Sequence, residues 1–267
     1  MKYIASSLIF FFLYFASSAQ DHTGAQPVGG KQQLIYFIEQ EIVYPEQMYN
    51  DKIEGTVSFL FDINETGHIT AIKDIKTPDS AALAEALRIF RLIEWIPANN
   101  GGIKVPDTKL FEIEFDISKY NRICRTRGYK NKVNPFEPVD TSLKIYWYRN
   151  LDSAPKPVFI DQKENLAVFI ANNLQYPELA IRQNVTGVVK INFIVETNGR
   201  ASNVTIENSV GAGCNEEAIR ILRMLKWMPG IYEDKAVRTR TSLSINFSLD
   251  RGKDGIFNPV VKSSYGG

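Results

Sequence analysis

Two hydrophobic periodicities alternate along this chain, and the same succession of them occurs twice. Leu34, Phe37, Ile38 and Ile42 fall at helical spacing, and so do Leu166, Phe169, Ile170 and Leu174. The residue before a proline avoids helical geometry, so this first helix is predicted to stop at Tyr44-Pro45 and at Tyr176-Pro177. Val57, Phe59, Phe61 and Ile63 then alternate with more polar neighbours, as do Val189, Ile191, Phe193 and Val195, which predicts a strand with one buried face. Glu65-Thr66-Gly67 and Thr197-Asn198-Gly199 follow with hairpin-turn chemistry, Asn-Gly being the stronger signal because both positions tolerate positive φ. A second strand is expected around Ile69 to Lys76 and Ala201 to Asn208.

Helical spacing returns at Leu83, Ala86, Leu87 and Phe90, matched by Ala218, Ile219 and Leu222. Trp95 and Trp227 sit where that helix ends, and Pro97 and Pro229 keep it from continuing. A last strand alternates through Phe111, Ile113, Phe115 and Ile117, and through Leu243, Ile245, Phe247 and Leu249. The expected fold is therefore α+β, with two tandem modules of order α-β-β-α-β. In each, a three-stranded antiparallel sheet is covered on one face by two helices.

The correspondence is a gapless repeat. Tyr44-Pro45-Glu46, Gly55, Gly67, Trp95 and Pro97 recur as Tyr176-Pro177-Glu178, Gly187, Gly199, Trp227 and Pro229, each displaced by 132 positions. The same shift aligns Lys31 to Ile117 with Lys163 to Leu249 at about twenty identities, the signature of a tandem duplication.

The ends and the middle read differently. Lys2 and the apolar run Ile4 to Ala16, followed by the small residues Ser17, Ser18 and Ala19, predict a signal peptide over residues 1–19 and a mature chain starting at Gln20. The run is about 13 residues against the roughly 20 that span a bilayer, so an uncleaved inner-membrane anchor is the lesser reading. The modules are assigned to residues 27–117 and 159–250. Residues 118–158 form a connecting segment with the basic run Lys119, Arg122, Arg125, Arg127, Lys130 and Lys132, with Leu143 to Tyr148 as a candidate extra strand. Residues 251–267, rich in Gly and Ser, read as a frayed, flexible tail.

Composition excludes more than it suggests. Lys plus Arg number 31 against 30 Asp plus Glu, so the chain as a whole has no bulk attraction to nucleic acid. Its two histidines, His22 and His68, lie in the N-terminal tail and a turn, without partners at metal or triad spacing. Gly211-Ala212-Gly213 is a weak match to a phosphate loop, and Glu216 and Glu217 open a helix, where acids suit the positive end of the dipole. No catalytic residue, cofactor or metal site is expected, and no small-molecule substrate. Cys124 and Cys214 allow one inter-module disulfide or two partly buried thiols. The feature that packing does not settle is the last strand of each sheet: at an edge, it presents unpaired backbone groups able to accept an extended peptide.

The ordered set of Tyr-Pro, strand Gly, turn Gly, Glu-Glu-Ala helix and Trp-x-Pro resembles the C-terminal domain of TonB. The stretch from Cys214-Asn215-Glu216-Glu217-Ala218-Ile219-Arg220 to Trp227-Met228-Pro229-Gly230 matches that pattern closely, and Pro27-Val28-Gly29-Gly30 resembles the entry to its first helix in Bacteroidetes-like versions. The first copy departs at Ser80 to Leu83, where the acidic helix start is missing. The resemblance implies a periplasmic protein that binds the short TonB box of an outer-membrane receptor, or a segment of another envelope protein, by strand addition. It also implies a contact region at Tyr44, Pro45, Phe111, Ile113 and Phe115 in the first module. In the second, the corresponding region is Gln175, Tyr176, Pro177, Leu243, Ile245 and Phe247, the copy expected to bind first. The alternative is a structural envelope protein whose modules pack on each other or on a second copy of the chain. A full transducer also carries a long spacer, whereas the first helix here starts about ten residues after the expected cleavage point, which argues against direct energy transduction by this chain alone.

Overall fold

The computed structural model describes residues 22–130, 136–159, 165–251 and 257–266; the expected signal peptide lies outside them. The first module runs α1 (Gly30–Glu41), α2 (Glu46–Asn50), β1 (Gly55–Ile63), β2 (Ile69–Lys76), α3 (Ser80–Phe90) and β3 (Asp107–Phe115). Its sheet has the antiparallel order β2-β1-β3. Alternation in β1 puts Val57, Phe59, Phe61 and Ile63 on the face covered by helices, all essentially without solvent contact. Helix α3, capped by the Asp79 carboxylate on Ala81 N at 2.7 Å, presses Phe90 onto Phe59, Phe61 and Phe111 with ring centroids 5.0, 4.8 and 5.0 Å away. Full burial of one such side chain contributes roughly 1.5–3 kcal/mol, so this aromatic cluster holds the helix to the sheet.

The second module repeats the order with α5 (Leu166–Asn173), α6 (Glu178–Arg182), β4 (Gly187–Val195), β5 (Ala201–Asn208), α7 (Cys214–Met224) and β6 (Lys235–Arg251), and helix α4 (Ile117–Arg127) lies between the modules. Register repeats too: Gly55 pairs with Phe115 and Gly187 with Phe247. The tandem α+β reading and both hairpins are as the periodicity predicts, with one helix more per module. That short helix, α2 or α6, starts directly after the Tyr-Pro proline and buries Met48 or Ala180. Five residues are too few to show a period in sequence. The turn glycines have a specific duty. Gly67 and Gly199 have φ of +86° and +78°, and a Cβ at either would collide with the carbonyl oxygen of Trp95 or Trp227. The turn Gly and the Trp are thus two halves of one contact.

Two segments differ from the sequence expectation. The basic run is not all linker: Ile117–Arg127 forms helix α4, capped by Asp116 on Lys119 N at 2.7 Å, and buries Tyr120 and Cys124 in the first core. The apolar positions Ile117, Tyr120 and Cys124 have helical spacing that the density of charge obscures. Nor is the end a frayed tail. Phe257–Tyr265 forms β7, paired antiparallel with β6 from Leu243↔Tyr265 to Arg251↔Phe257. The backbone groups along the outer edge of β6 need partners, and the chain's own end supplies them. The strand expected near Leu143 to Tyr148 is present as Ile145–Trp147, parallel to residues 238–240 of β6.

The modules have separate cores but are joined by a polar seam. Arg238, 4% exposed, binds the Glu196 carboxylate through Nε and Nη2, both at 2.8 Å, and reaches the Leu92 carbonyl of the first module at 2.9 Å. Asn203 donates to the same carbonyl at 2.9 Å and accepts from Glu94 N at 2.8 Å. Arg240 closes on the Glu94 carboxylate at 2.7 and 2.8 Å. Cys124 and Cys214 are free and buried in different cores, which decides between the two readings of the cysteines.

Candidate protein-interaction edges

The residues singled out around Tyr-Pro hold each module closed. Tyr44 is buried, and its hydroxyl donates to the Ile53 carbonyl at 2.7 Å and lies 3.3 Å from the Phe115 carbonyl at the end of β3. Burial, reinforced by Glu54 and Asp116, pushes its phenol up to about 12. Tyr176 makes the matching bond to the Val185 carbonyl at 2.8 Å and sets its ring edge-on to Phe247. Pro45 and Pro177 start the short helices. Gln175 is exposed, with its backbone N–H on Glu217 Oε1 at 2.6 Å.

Phe111, Ile113 and Phe115, like Leu243, Ile245 and Phe247, all face the cores. A strand added beside them would meet backbone, not these side chains. The two edges differ in whether backbone is on offer. In the second module, the side of β6 away from β4 carries Ile145–Trp147 and then β7. In the first, β3 is the last strand of its sheet, and among the described residues nothing pairs with its outer edge. Along that edge runs a groove of about 150 Å³ between α1 and α4, with Ile35, Ile38 and Ile42 on one wall and Tyr120 and Ile123 on the other. Glu39, Glu112, Glu114 and Asp116 also line it, with Lys119 bound to Glu114 at 3.1 Å, so the rim is acidic.

One repeated device went unrecognised in the sequence. Glu85 accepts from Val43 N at 2.8 Å and pairs with Arg88 at 2.7 Å, while Arg88 Nη2 donates to the Glu41 carbonyl at 2.8 Å. Glu217 accepts from Gln175 N and pairs with Arg220 at 2.7 Å, and Arg220 Nη2 reaches the Asn173 carbonyl at 2.5 Å. Each Glu-Arg pair ties the end of the first helix to the helix after the hairpin. Glu217 is thus more than a favourable charge at a helix start, and the first copy keeps its counterpart despite the altered Ser80 to Leu83. The signal was the 132-residue displacement, which carries Glu85 onto Glu217 and Arg88 onto Arg220.

The fold and site define a small α+β module, present twice, built around a three-strand antiparallel core and a helix-bordered sheet edge. The sequence matches the Gram-negative bacterial TonB protein C-terminal family over residues 40–117 and again over 172–249. The chain belongs to that family, as a tandem member. Domains of this kind are interaction domains rather than enzymes, and the family is associated with the cell envelope. No curated protein and no solved structure matches the chain. Among the described residues, no helix is long and apolar enough to cross a membrane.

Proposed function

We propose that this chain is a periplasmic interaction protein that captures an extended segment of a TonB-dependent outer-membrane receptor, or of another envelope protein, as an added strand on β3. The observation that carries this reading is the asymmetry of the two last strands. Residues 107–115 end their sheet beside an apolar groove, whereas the equivalent edge of β6 is occupied by the chain itself. Strand addition draws affinity from main-chain hydrogen bonds and specificity from the pockets that take alternate side chains. The isoleucines of α1 and Ile123 of α4 supply such a pocket, and the acidic rim favours a segment with apolar residues and a basic flank. The first module, not the second, is therefore the one to receive a partner.

Titration of the full chain with TonB-box peptides N-methylated at alternate residues tests this. Methylation in one phase removes the N–H groups that face β3 and abolishes binding; methylation in the other leaves it intact. Equal binding by both sets, or no binding by the unmethylated peptide to folded protein, refutes strand addition.

A specific observation supports the scaffold reading for the second module. Its edge is filled by β7 and it is bonded to the first module through Arg238, Asn203 and Arg240. In this reading the second module is a rigid support for the first.

A further inference from the structure

Between the modules lies a cleft of about 440 Å³, within the size range of small-molecule sites. Arg127, Arg200 and Arg223 line it together with Tyr36, Tyr129 and Trp227. The guanidinium of Arg223 lies 3.8 Å from the Tyr36 ring centroid and that of Arg200 4.1 Å from the Tyr129 centroid, with Arg127 on Tyr129 as well at 4.5 Å. Among the described residues, their hydrogen-bond partners are all neutral. Arg223 donates to Gln33 Oε1 at 3.0 Å, and Arg200 to Gln40 Oε1 at 3.2 Å and to the Tyr129 hydroxyl. Arg127 caps the end of α1, donating to the Glu39 and Gln40 carbonyls at 2.9 and 3.3 Å.

The carboxylate on the cleft wall, Glu41, is engaged elsewhere, by Arg88 at 3.2 Å and by Asn198 at 3.3 Å. Lys226, also on the lining, adds a further positive charge. Three arginines thus converge on one partly desolvated space, and among the described residues none of them is ion-paired to a carboxylate. Burial holds Arg200 and Arg223 below their ordinary range and raises Tyr36 and Tyr129, while the neighbouring arginine charges act against the rise of the two tyrosines. Guanidinium groups at fixed positions on aromatic faces are preorganised to take two oxygens of a carboxylate or phosphate in bidentate fashion.

From this geometry we infer that the inter-module cleft is a binding site for a small organic anion: a carboxylate or phosphate head held by Arg200 and Arg223, on an aromatic or short aliphatic body packed toward Trp227. The site is distinct from the β3 edge and stands or falls independently of strand addition. Because its walls come from α1 and α4 of the first module and from β5 and α7 of the second, a ligand there stabilises the module pair as a unit.

Calorimetric titration of the full chain at low ionic strength with phenyl phosphate, benzoate, inorganic phosphate and neutral benzyl alcohol tests the inference. Phenyl phosphate or benzoate is expected to bind at one site per chain and to weaken as salt is added. Binding is expected to fall at least about tenfold in Arg223→Gln and in Arg200→Gln. Arg223 is exposed at the rim, so Arg223→Gln keeps the fold, which circular dichroism of the unliganded variant checks. Absence of binding by both organic anions, equal binding by benzyl alcohol, or affinity unchanged in both variants overturns the site. Inorganic phosphate binding as tightly as phenyl phosphate overturns the organic body.

Discussion

Replacing Arg238 with Met removes the main bond between the modules, and the size of the loss follows from what is left behind. Arg238 is 4% exposed and makes two bonds to Glu196 at 2.8 Å, one to the Leu143 carbonyl at 3.1 Å and one to the Leu92 carbonyl at 2.9 Å. Leu92 keeps a donor from Asn203. Glu196, 3% exposed, keeps the Ser202 hydroxyl but loses its cation. The dominant cost is therefore a buried, unpaired carboxylate, worth about 3–5 kcal/mol, rather than the sum of the bonds. Arg238→Met combined with Glu196→Leu removes both charges and is expected to recover at least about 2 kcal/mol of that loss. Urea unfolding followed by tryptophan fluorescence reads the effect, since Trp95 and Trp227 lie in different modules. The single variant should also separate one transition into two, because Leu92 belongs to the first module and Glu196 to the second. A loss below about 1 kcal/mol, or a double variant no better than the single, refutes this reasoning.

Three further outcomes are expected. Gly199→Ala and Gly67→Ala should each cost at least about 1–2 kcal/mol in chemical unfolding, from the left-handed φ alone, with the Trp carbonyl collision added. Tyr44 titrates at about 12 when folded, above its ordinary 10.0, so the unfolded chain loses that proton first and stability falls as pH rises from about 10 through 12. Tyr44→Phe should flatten that fall in alkaline unfolding curves. Cys124 and Cys214 should both resist a thiol reagent in the folded chain and react on unfolding, and a reductant should leave the thermal midpoint unchanged.

The elements that were legible in the sequence are those whose burial is periodic. Val57 to Ile63 and Val189 to Val195 alternate because one face of each strand meets helices, and the hairpin glycines mark turns that only positive φ can make. Duplication sharpened each reading, since a position had to make sense twice. What stayed hidden depends on relations that no local pattern carries. Helix α4 is concealed by its own charges, and β7 is defined by the edge it completes rather than by its residues. The disposition of the modules rests on single polar side chains, such as Arg238, Asn203 and Arg240, that look in sequence like ordinary surface residues. The candidate edge was legible as a strand, but which copy leaves it open was not, because the answer lies in residues 257–265, outside the aligned repeats.

The asymmetry of the two edges is tested most directly by amide hydrogen exchange on the full chain with and without a saturating TonB-box peptide. Added protection along residues 107–115, with the exchange of residues 243–249 unchanged, is the result expected for a strand added to the first module. Protection that appears on residues 243–249 instead, or on neither strand while the peptide is bound, contradicts it.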